Sequence, residues 1–194
     1  MSESLRQRLR SATAGHHARV DAAFGRFDLS RPDDYRAFLV AHARALWPLE
    51  CGLEAAGVAR LLPDWPERRR RPALARDLAW LGAAVPDEAR IQPLPLADEA
   101  ACWGALYTLE GSRLGGAVLA RQVATQPALA GALAYLGHGA GGMLWPAFLA
   151  RLEAAAPMLA WPALEAGACA AFELFADAAR AGSAMPPERA IAAG

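Results

Sequence analysis

Apolar residues recur at intervals of three and four along most of this chain, the spacing of one face of an α-helix. The pattern predicts a first helix that begins near Ser2 or Ser4 and ends at about Phe24. Valine, isoleucine and threonine are scarce and never alternate over the length of a strand. We therefore expect an all-α fold of seven to nine helices. Further helices are predicted at residues 30–56 with a kink at Pro48, 72–81, 103–119, 128–136, 143–156 and 162–181.

The chain suits one folded domain rather than two. It has 194 residues, and 55% of them are hydrophobic, which is ample for a single core. Prolines between residues 83 and 97 indicate a connector between helices and not a linker between domains. We expect one helical domain over residues 1–182 and a disordered tail over 183–194, where two prolines stand together.

Three glycines interrupt the apolar pattern of the central helix. Gly111, Gly115 and Gly116 lie within a stretch where Trp103 and Val118 mark the ends of a regular helical pattern. Each glycine costs about 1 kcal/mol relative to alanine, so all three together cost about 3 kcal/mol. Close packing of a second helix is the commoner reason for such glycines. The other reason is a broad, flat ligand that lies against bare backbone.

A histidine near the N-terminus has the surroundings of a metal ligand. His17 shares a helical face with several residues three, four or seven positions away. Asp21 could accept a hydrogen bond from one ring nitrogen and leave the other free for a metal ion. His16 does not share this face. A lone histidine on such a helix is nonetheless more often a core or surface residue. The face of His17 comprises Arg10, Thr13, Val20, Asp21 and Phe24.

Together, these two stretches resemble the proximal and distal helices of the haem oxygenases. The first reads Leu-Arg-Ser-Ala-Thr-x-x-x-His17, and the second reads Leu-Tyr107-Thr-Leu-Glu-Gly111-Ser112-x-Leu-Gly115-Gly116. They are most similar to the bacterial, biliverdin-producing branch that is associated with bacteriophytochromes. The resemblance implies a single-domain fold in which haem is sandwiched between a proximal N-terminal helix and a kinked, glycine-rich distal helix.

The resemblance also implies roles for particular residues. His17 would be the axial ligand of the haem iron, and Asp21 stands where animal members have glutamate. Arg10 would pair with a haem propionate through its planar guanidinium. Ser112 stands where animal members have aspartate, and with ordered water it would deliver protons to the distal side. The expected haem-contacting residues are Arg10, Thr13, Asp21, Tyr107, Gly111, Gly115 and Gly116, and those expected to act in catalysis are Gly111, Ser112 and Gly115.

The activity implied is oxidative cleavage of haem to biliverdin, carbon monoxide and ferrous iron. Haem would be both cofactor and substrate, and O₂ would be consumed with electrons from a ferredoxin, a flavodoxin or a reductase. The bilin would provide the chromophore of a bacteriophytochrome. Two alternatives remain open. One is a non-catalytic haem carrier or sensor of the same fold, and the other is a helical enzyme for a thiamine-related or quinone-precursor substrate.

Composition and charge narrow the setting. The formal net charge is zero, so the overall charge favours neither nucleic acid nor a membrane surface as a partner. The chain contains no lysine, and all of its fixed positive charge is carried by arginine. Three widely spaced cysteines suggest neither disulfides nor a zinc site. We expect a cytoplasmic protein, since no signal peptide or long apolar run is present.

Four further features have ordinary explanations. We expect Glu50 and Glu54, one turn apart, to lie on a solvated face, because a di-iron site would need Glu-x-x-His pairs that are missing. The run of four arginines at 68–71 is expected to be exposed at the start or bend of a helix, or to dock an acidic redox partner. His42 is expected in the core or at its edge, and His138 lacks the helical setting of a ligand.

Overall fold

The computed structural model describes residues 4–183, and their side chains as far as residue 181. Within this part of the chain the regular structure is entirely helical, with seven α-helices and four short 3₁₀ turns. The all-α prediction is therefore confirmed. The helices are α1 (Leu5–Phe24), α2 (Pro32–Ala55), α3 (Trp65–Arg68), α4 (Arg71–Trp80), α5 (Glu99–Val123), α6 (Leu144–Ala155) and α7 (Trp161–Ser183).

Local signals set the beginnings of the first two helices. Ser4 caps α1: its hydroxyl accepts a hydrogen bond from the backbone N–H of Gln7, and the Gln7 side chain accepts one from the N–H of Ser4. The second helix begins at Pro32 without a side-chain cap. Ser30, where this helix was expected to begin, donates its hydroxyl to Asp28. Pro48 lies inside α2, which continues unbroken through it.

Helix α7 is the element on which the others are assembled. It packs against α1, α2 and α5. Its contact with α5 is very close, because a Cβ atom on Gly104 would lie 1.9 Å from the carbonyl oxygen of Leu164. In the same way, a Cβ on Gly167 would lie 2.1 Å from the carbonyl oxygen of Ala101. Only glycine permits this separation of the two helices.

The alanine-rich helix predicted at 128–136 is wrong. A 3₁₀ turn at Pro127–Leu129 is followed by irregular turns. Buried side chains bind the backbone groups that a helix would have used: the Tyr35 hydroxyl donates to the carbonyl of Ala132 at 2.5 Å, and the Asp77 carboxylate accepts from the N–H groups of Ala134 and Tyr135. Tertiary hydrogen bonds therefore override the helical propensity of alanine here.

Two further predictions concern the ends of the chain and membranes. Ser183, expected to begin the tail, is the last residue of α7, and residues 184–194 of the predicted tail lie outside the described part. Between residues 4 and 183, no helix combines the length and the apolar character needed to cross a membrane.

Candidate functional site

The two helices with the sequence motifs face each other across α7. Both α1 and α5 pack on α7, yet they make only marginal contact with one another. Tyr107 on α5 is close enough to Arg6 and Arg10 on α1 to be influenced by their charges. Burial raises the pKa of the Tyr107 hydroxyl, and the two guanidiniums oppose that rise. We call the region where α1 and α5 both border α7 the cleft.

His17 lies on the exposed face of α1. Its side chain is 63% exposed, and Nδ1 lies 2.9 Å from a carboxylate oxygen of Asp21. The imidazole also meets the ring of Phe172 on α7 edge to face, with the ring centroids 5.8 Å apart. When Nδ1 donates to Asp21, Nε2 keeps its lone pair. The side chain thus presents one free nitrogen beside an apolar floor.

His16 is held differently. Its Nδ1 lies 2.6 Å from a guanidinium nitrogen of Arg19 and 3.6 Å from a carboxylate oxygen of Glu173 on α7. The side chain is only 22% exposed. These two partners occupy Nδ1 of the His16 imidazole. Of the two neighbouring histidines, only His17 is exposed and has one nitrogen bound to a carboxylate.

The other residues predicted around His17 are divided by the fold. Arg10 is exposed on the same stripe of α1 as His17. Thr13 is buried and donates its hydroxyl to the carbonyl of Leu9 at 2.7 Å. Phe24 packs in the core against His42, with ring centroids 4.1 Å apart. The structure therefore places Asp21 beside the imidazole of His17, as predicted. The aromatic neighbour of His17 is Phe172 and not Phe24, and the sequence pattern did not indicate Phe172.

The glycines of α5 have two different surroundings. A Cβ on Gly115 would meet nothing within 4 Å, and one on Gly111 would make ordinary contact with the Trp145 ring at 3.5 Å. Close helix packing therefore does not explain either glycine. Gly116 is a packing position, since its Cβ would lie 3.0 Å from the carbonyl oxygen of Leu136. The tight helix contacts occur instead at Gly104 and Gly167, which sequence reasoning missed.

Apolar side chains surround the open glycine face. Leu114 is 55% exposed and Val118 is 57% exposed, although both belong to the regular apolar pattern of the helix. Gly115 lies between them on the same exposed surface. Together, these three residues form what we call the open face of α5. Exposed apolar side chains beside bare backbone are typical of a surface that a ligand covers.

Ser112 lies next to this face, and its hydroxyl is hydrogen-bonded to the buried guanidinium of Arg70. Its hydroxyl donates to the carbonyl of Leu109 at 2.7 Å and accepts from the Arg70 guanidinium at 2.8 Å. The same guanidinium nitrogen also donates to the Leu109 carbonyl at 2.9 Å. Arg70 is 3% exposed, whereas Ser112 is exposed. A buried cation therefore lies directly behind an exposed hydroxyl.

The prediction that the arginine run is exposed is wrong for three of its four members. Arg68, Arg70 and Arg71 are buried, and Arg69 alone is exposed. Arg68 binds the buried carboxylate of Glu110 at 2.6 Å. Because these three side chains are buried, they do not form a docking surface for an acidic partner. Their position holds the 68–71 turn against α5.

Glu110 is the centre of this network. It also receives hydrogen bonds from Arg113, whose guanidinium in turn reaches Nδ1 of His138 at 3.0 Å and the backbone carbonyl of Arg68. Burial, with the nearby charges of Arg113 and Arg70, lowers the pKa of His138. The imidazole of His138 is thus part of a structural network. None of its contacts with the described residues indicates a role as a ligand.

Glu50 is buried, so the expected solvated face is wrong at this position. Its carboxylate accepts from the backbone N–H groups of Arg70 and Arg71 and from the Arg71 guanidinium. Burial raises the pKa of Glu50, and these donors act against the rise. Glu54 and Glu88 also pair with Arg71. The sequence did contain a signal: Glu50 and Glu110 each lie inside an apolar stripe, where a carboxylate needs a buried partner.

His42 lies at the edge of the core, which agrees with the expectation of a core or core-edge position. Its ring packs against Phe24 and Phe38, and its Nδ1 lies 3.0 Å from the carbonyl of Phe38. Burial lowers the pKa of His42 to about 3, so the imidazole is neutral at physiological pH. No ligand role is needed to explain its conformation.

Comparison with known proteins gives one informative relative. A protein named "Heme oxygenase" from Xanthomonas campestris pv. campestris (strain 8004) is 45% identical to this chain over 104 residues. This chain is related to a haem oxygenase. The match spans 53% of this chain and 61% of the relative, and it confirms the resemblance to the haem oxygenase family. No family model matches the chain.

The residues of the cleft fit haem as a ligand. A histidine with a free nitrogen is the commonest protein ligand of haem iron, and its second nitrogen is held by a carboxylate, as such ligands require. A Cβ on Gly115 would meet no described atom within 4 Å, so the glycine leaves room on the surface of α5 for a flat ring. Exposed Leu114 and Val118 offer apolar contacts to its surface.

Proposed function

We propose that this chain is a haem oxygenase that binds haem in the cleft between α1 and α5. The observation that carries the proposal is the pairing of two surfaces. His17 is exposed with its Nδ1 at Asp21, and the open face of α5 has no other occupant for the space above Gly115. The relationship to a protein named heme oxygenase supports the same reading.

On the proximal side, α1 would hold the ring through His17. The carboxylate of Asp21 lies 2.9 Å from Nδ1 of His17, so it would hold the imidazole while Nε2 serves as the iron ligand. Phe172 supports the ring of His17 from α7. These two contacts restrict rotation of the imidazole, so His17 would hold haem iron with a fixed ring orientation.

At the edge of the cleft, Arg10 would pair with a haem propionate. It is exposed on the same stripe as His17, and its charge reaches Tyr107 across the cleft. A guanidinium suits this task because it can donate two parallel hydrogen bonds to one carboxylate. Tyr107 lies beside Trp145, and these two rings would border the same edge of the ligand.

On the distal side, the backbone at Gly111 and Gly115 would approach the haem closely. Bound haem supplies the oxygen-activating chemistry. The glycines keep side chains out of the space between helix and ring, and the apolar side chains beside them exclude bulk water. Ser112 lies at the border of this space and would bind ordered water there.

The products would be biliverdin, carbon monoxide and ferrous iron, formed from haem and O₂ with electrons from a ferredoxin, a flavodoxin or a reductase. The similarity of the two motifs to the bacterial branch supports biliverdin as the product and a bacteriophytochrome as its acceptor. A cytoplasmic location would give access to both. The boundary of the functional domain is proposed at residue 182.

The test is a titration of the pure chain with hemin, followed by addition of O₂ and a reductant. We expect one haem per chain with a histidine-type absorption spectrum, and then a bilin spectrum. His17→Ala should lose this spectrum and turnover, whereas the matched control His16→Ala should keep both. Haem binding without a bilin would indicate a carrier or sensor. Absence of haem binding, or equal effects of the two substitutions, would contradict the proposal.

A further inference from the structure

The hydroxyl of Ser112 has a restricted hydrogen-bonding capacity. A hydroxyl has one proton to donate and two positions at which it can accept. The proton is directed to the carbonyl of Leu109, and the Arg70 guanidinium occupies one accepting position. One accepting position remains, and Ser112 is an exposed residue. In this arrangement Ser112 can receive a hydrogen bond from the cleft but cannot give one.

Arg70 differs from the other buried arginines. Arg68 and Arg113 bind Glu110, and Arg71 binds Glu50. The Arg70 guanidinium forms no ion pair with any described residue, and its Nε has no hydrogen-bond partner among them. Glu50 lies nearby, but it accepts from the backbone N–H of Arg70 and not from its side chain.

A buried charge without an ion-pair partner is expensive for a folded protein. The cost is tolerated most often where the charge acts on a ligand. The two groups that accept from the Arg70 side chain are Leu109 and Ser112 of α5, which adjoin the open face. The charge of Arg70 also acts on Glu50, and its guanidinium lies 5.3 Å from the centroid of the Tyr135 ring, but its side-chain hydrogen bonds to described residues all run toward α5.

We propose that Arg70 is the positioning residue of the distal side: it holds Ser112 as a hydrogen-bond acceptor and supplies fixed positive charge behind it. This inference rests on the proposed function, because the ligand concerned is an anion or water bound between haem and α5. It revises the expectation that Ser112 delivers a proton. A water molecule would donate one hydrogen to Ser112 and keep its second for the ligand, so the proton would come from water.

The test measures the affinity of fluoride for the full chain loaded with ferric haem, followed by absorption at fixed pH. Fluoride is an anion that accepts hydrogen bonds and cannot donate them, so it reports positive charge and donors on the distal side. Arg70→Met should weaken fluoride binding about tenfold, the effect of one nearby charge. Arg70→Lys keeps the charge and should stay within about threefold of the unmodified chain.

Two variants make the test specific. Arg69→Met removes the same charge from the neighbouring exposed position and should change fluoride affinity less than about twofold, because exposed charges are screened. Ser112→Ala should weaken fluoride binding by about threefold, because the water between Ser112 and the ligand loses its acceptor while the charge of Arg70 remains. If Arg70→Met does not fold, Arg70→Gln replaces it; glutamine keeps a donor for Ser112 but removes the charge.

The outcomes separate this inference from the proposed function. Failure of the unmodified chain to take up haem contradicts the proposed function. Haem uptake with equal fluoride affinity in the unmodified chain and Arg70→Met contradicts the role of Arg70 alone. Unchanged fluoride affinity in Ser112→Ala would show that Ser112 does not anchor the ligand-bound water, and a loss in Arg69→Met equal to that in Arg70→Met would show that net charge is responsible; either result overturns the inference.

Discussion

The two halves of α5 use the same helical stripe for different purposes. In the first half, Gly104 and Thr108 face α7, where the glycine permits close approach and the Thr108 hydroxyl donates to the carbonyl of Ala168 at 3.1 Å. In the second half, Gly111 and Gly115 continue the stripe beyond α7, and Gly115 meets nothing within 4 Å. Glycine on one face of one helix thus serves packing in one half and leaves space in the other.

The difference shows that the structural role of a glycine depends on its surroundings, since the sequence spacing is the same in both halves. Gly104 is followed by Thr108 at four residues, and Gly111 is followed by Gly115 at four residues. Only the first pair lies opposite a backbone. The exposed apolar residues Leu114 and Val118 occur only beside the second pair.

The junction between the halves should be the most sensitive position. Glu110→Gln leaves Arg68 and Arg113 buried without their shared anion, so we expect the free energy of unfolding to fall by about 3–5 kcal/mol. Urea unfolding measures the change. Glu99→Gln, at an exposed position in the first turn of the same helix, is the control and should cost less than about 1 kcal/mol. Similar losses in both variants would show that the buried network contributes little.

In the packing half, Gly104→Ala should be the most damaging glycine substitution. The new methyl group would lie 1.9 Å from the Leu164 carbonyl oxygen, so α5 and α7 must separate. We expect this separation to lower the unfolding free energy by about 3 kcal/mol. The higher helix propensity of alanine, about 1 kcal/mol, offsets only part of that loss. Thermal and urea unfolding test this. A melting temperature equal to that of the unmodified chain would contradict the assignment of this half to packing.

In the open half, Gly115→Ala should do the opposite. The methyl group meets no protein atom within 4 Å, and alanine should raise the unfolding free energy by up to about 1 kcal/mol. The same methyl would occupy the space above the haem, so biliverdin formation per folded molecule should fall about tenfold or more. Single-turnover absorption spectra and unfolding curves give both quantities. Normal biliverdin yield with a large loss of stability would reverse the comparison.

The smallest effect is expected at the apolar rim of the open face. Val118→Thr keeps the shape of the side chain but replaces one methyl group, which should change unfolding by less than about 0.5 kcal/mol. Haem affinity should weaken about threefold, the effect of roughly one buried methyl group. Val85→Thr, at an exposed valine of the 83–97 connector, is the control. Equal haem affinity in both variants would mean that Val118 does not contact the ligand.

Features that depend on neighbouring residues could be read from the sequence. The Ser4 cap, the course of α1 and the contact between His17 and Asp21 all lie within one or two helical turns. Apolar spacing was enough to predict α6 and α7 closely, because their stripes face the core. The unusual glycines of α5 were visible as violations of helix propensity.

Features that depend on distant residues could not be read in this way. Ser112 meets Arg70 across 42 residues of sequence, and Phe172 reaches His17 from the last helix. The arginine run looked exposed because a sequence shows the local density of charge but not the buried carboxylates that neutralise it. Sequence spacing also did not distinguish the tight position, Gly104, from the open one, Gly115.

The close contact at Gly104 also acts mechanically. With a rise of about 1.5 Å per residue, Gly115 lies about 16 Å further along α5, and the helix between them is unbroken. A tilt of about 5° around the contact would therefore move Gly115 by about 1.4 Å, roughly the radius of a water molecule. The segment of α5 from Gly104 to Gly115 therefore acts as a rigid lever that pivots at the close contact with α7. The packing at Gly104 thus sets the position of Gly115, three helical turns away, and with it the space that the proposed ligand would have.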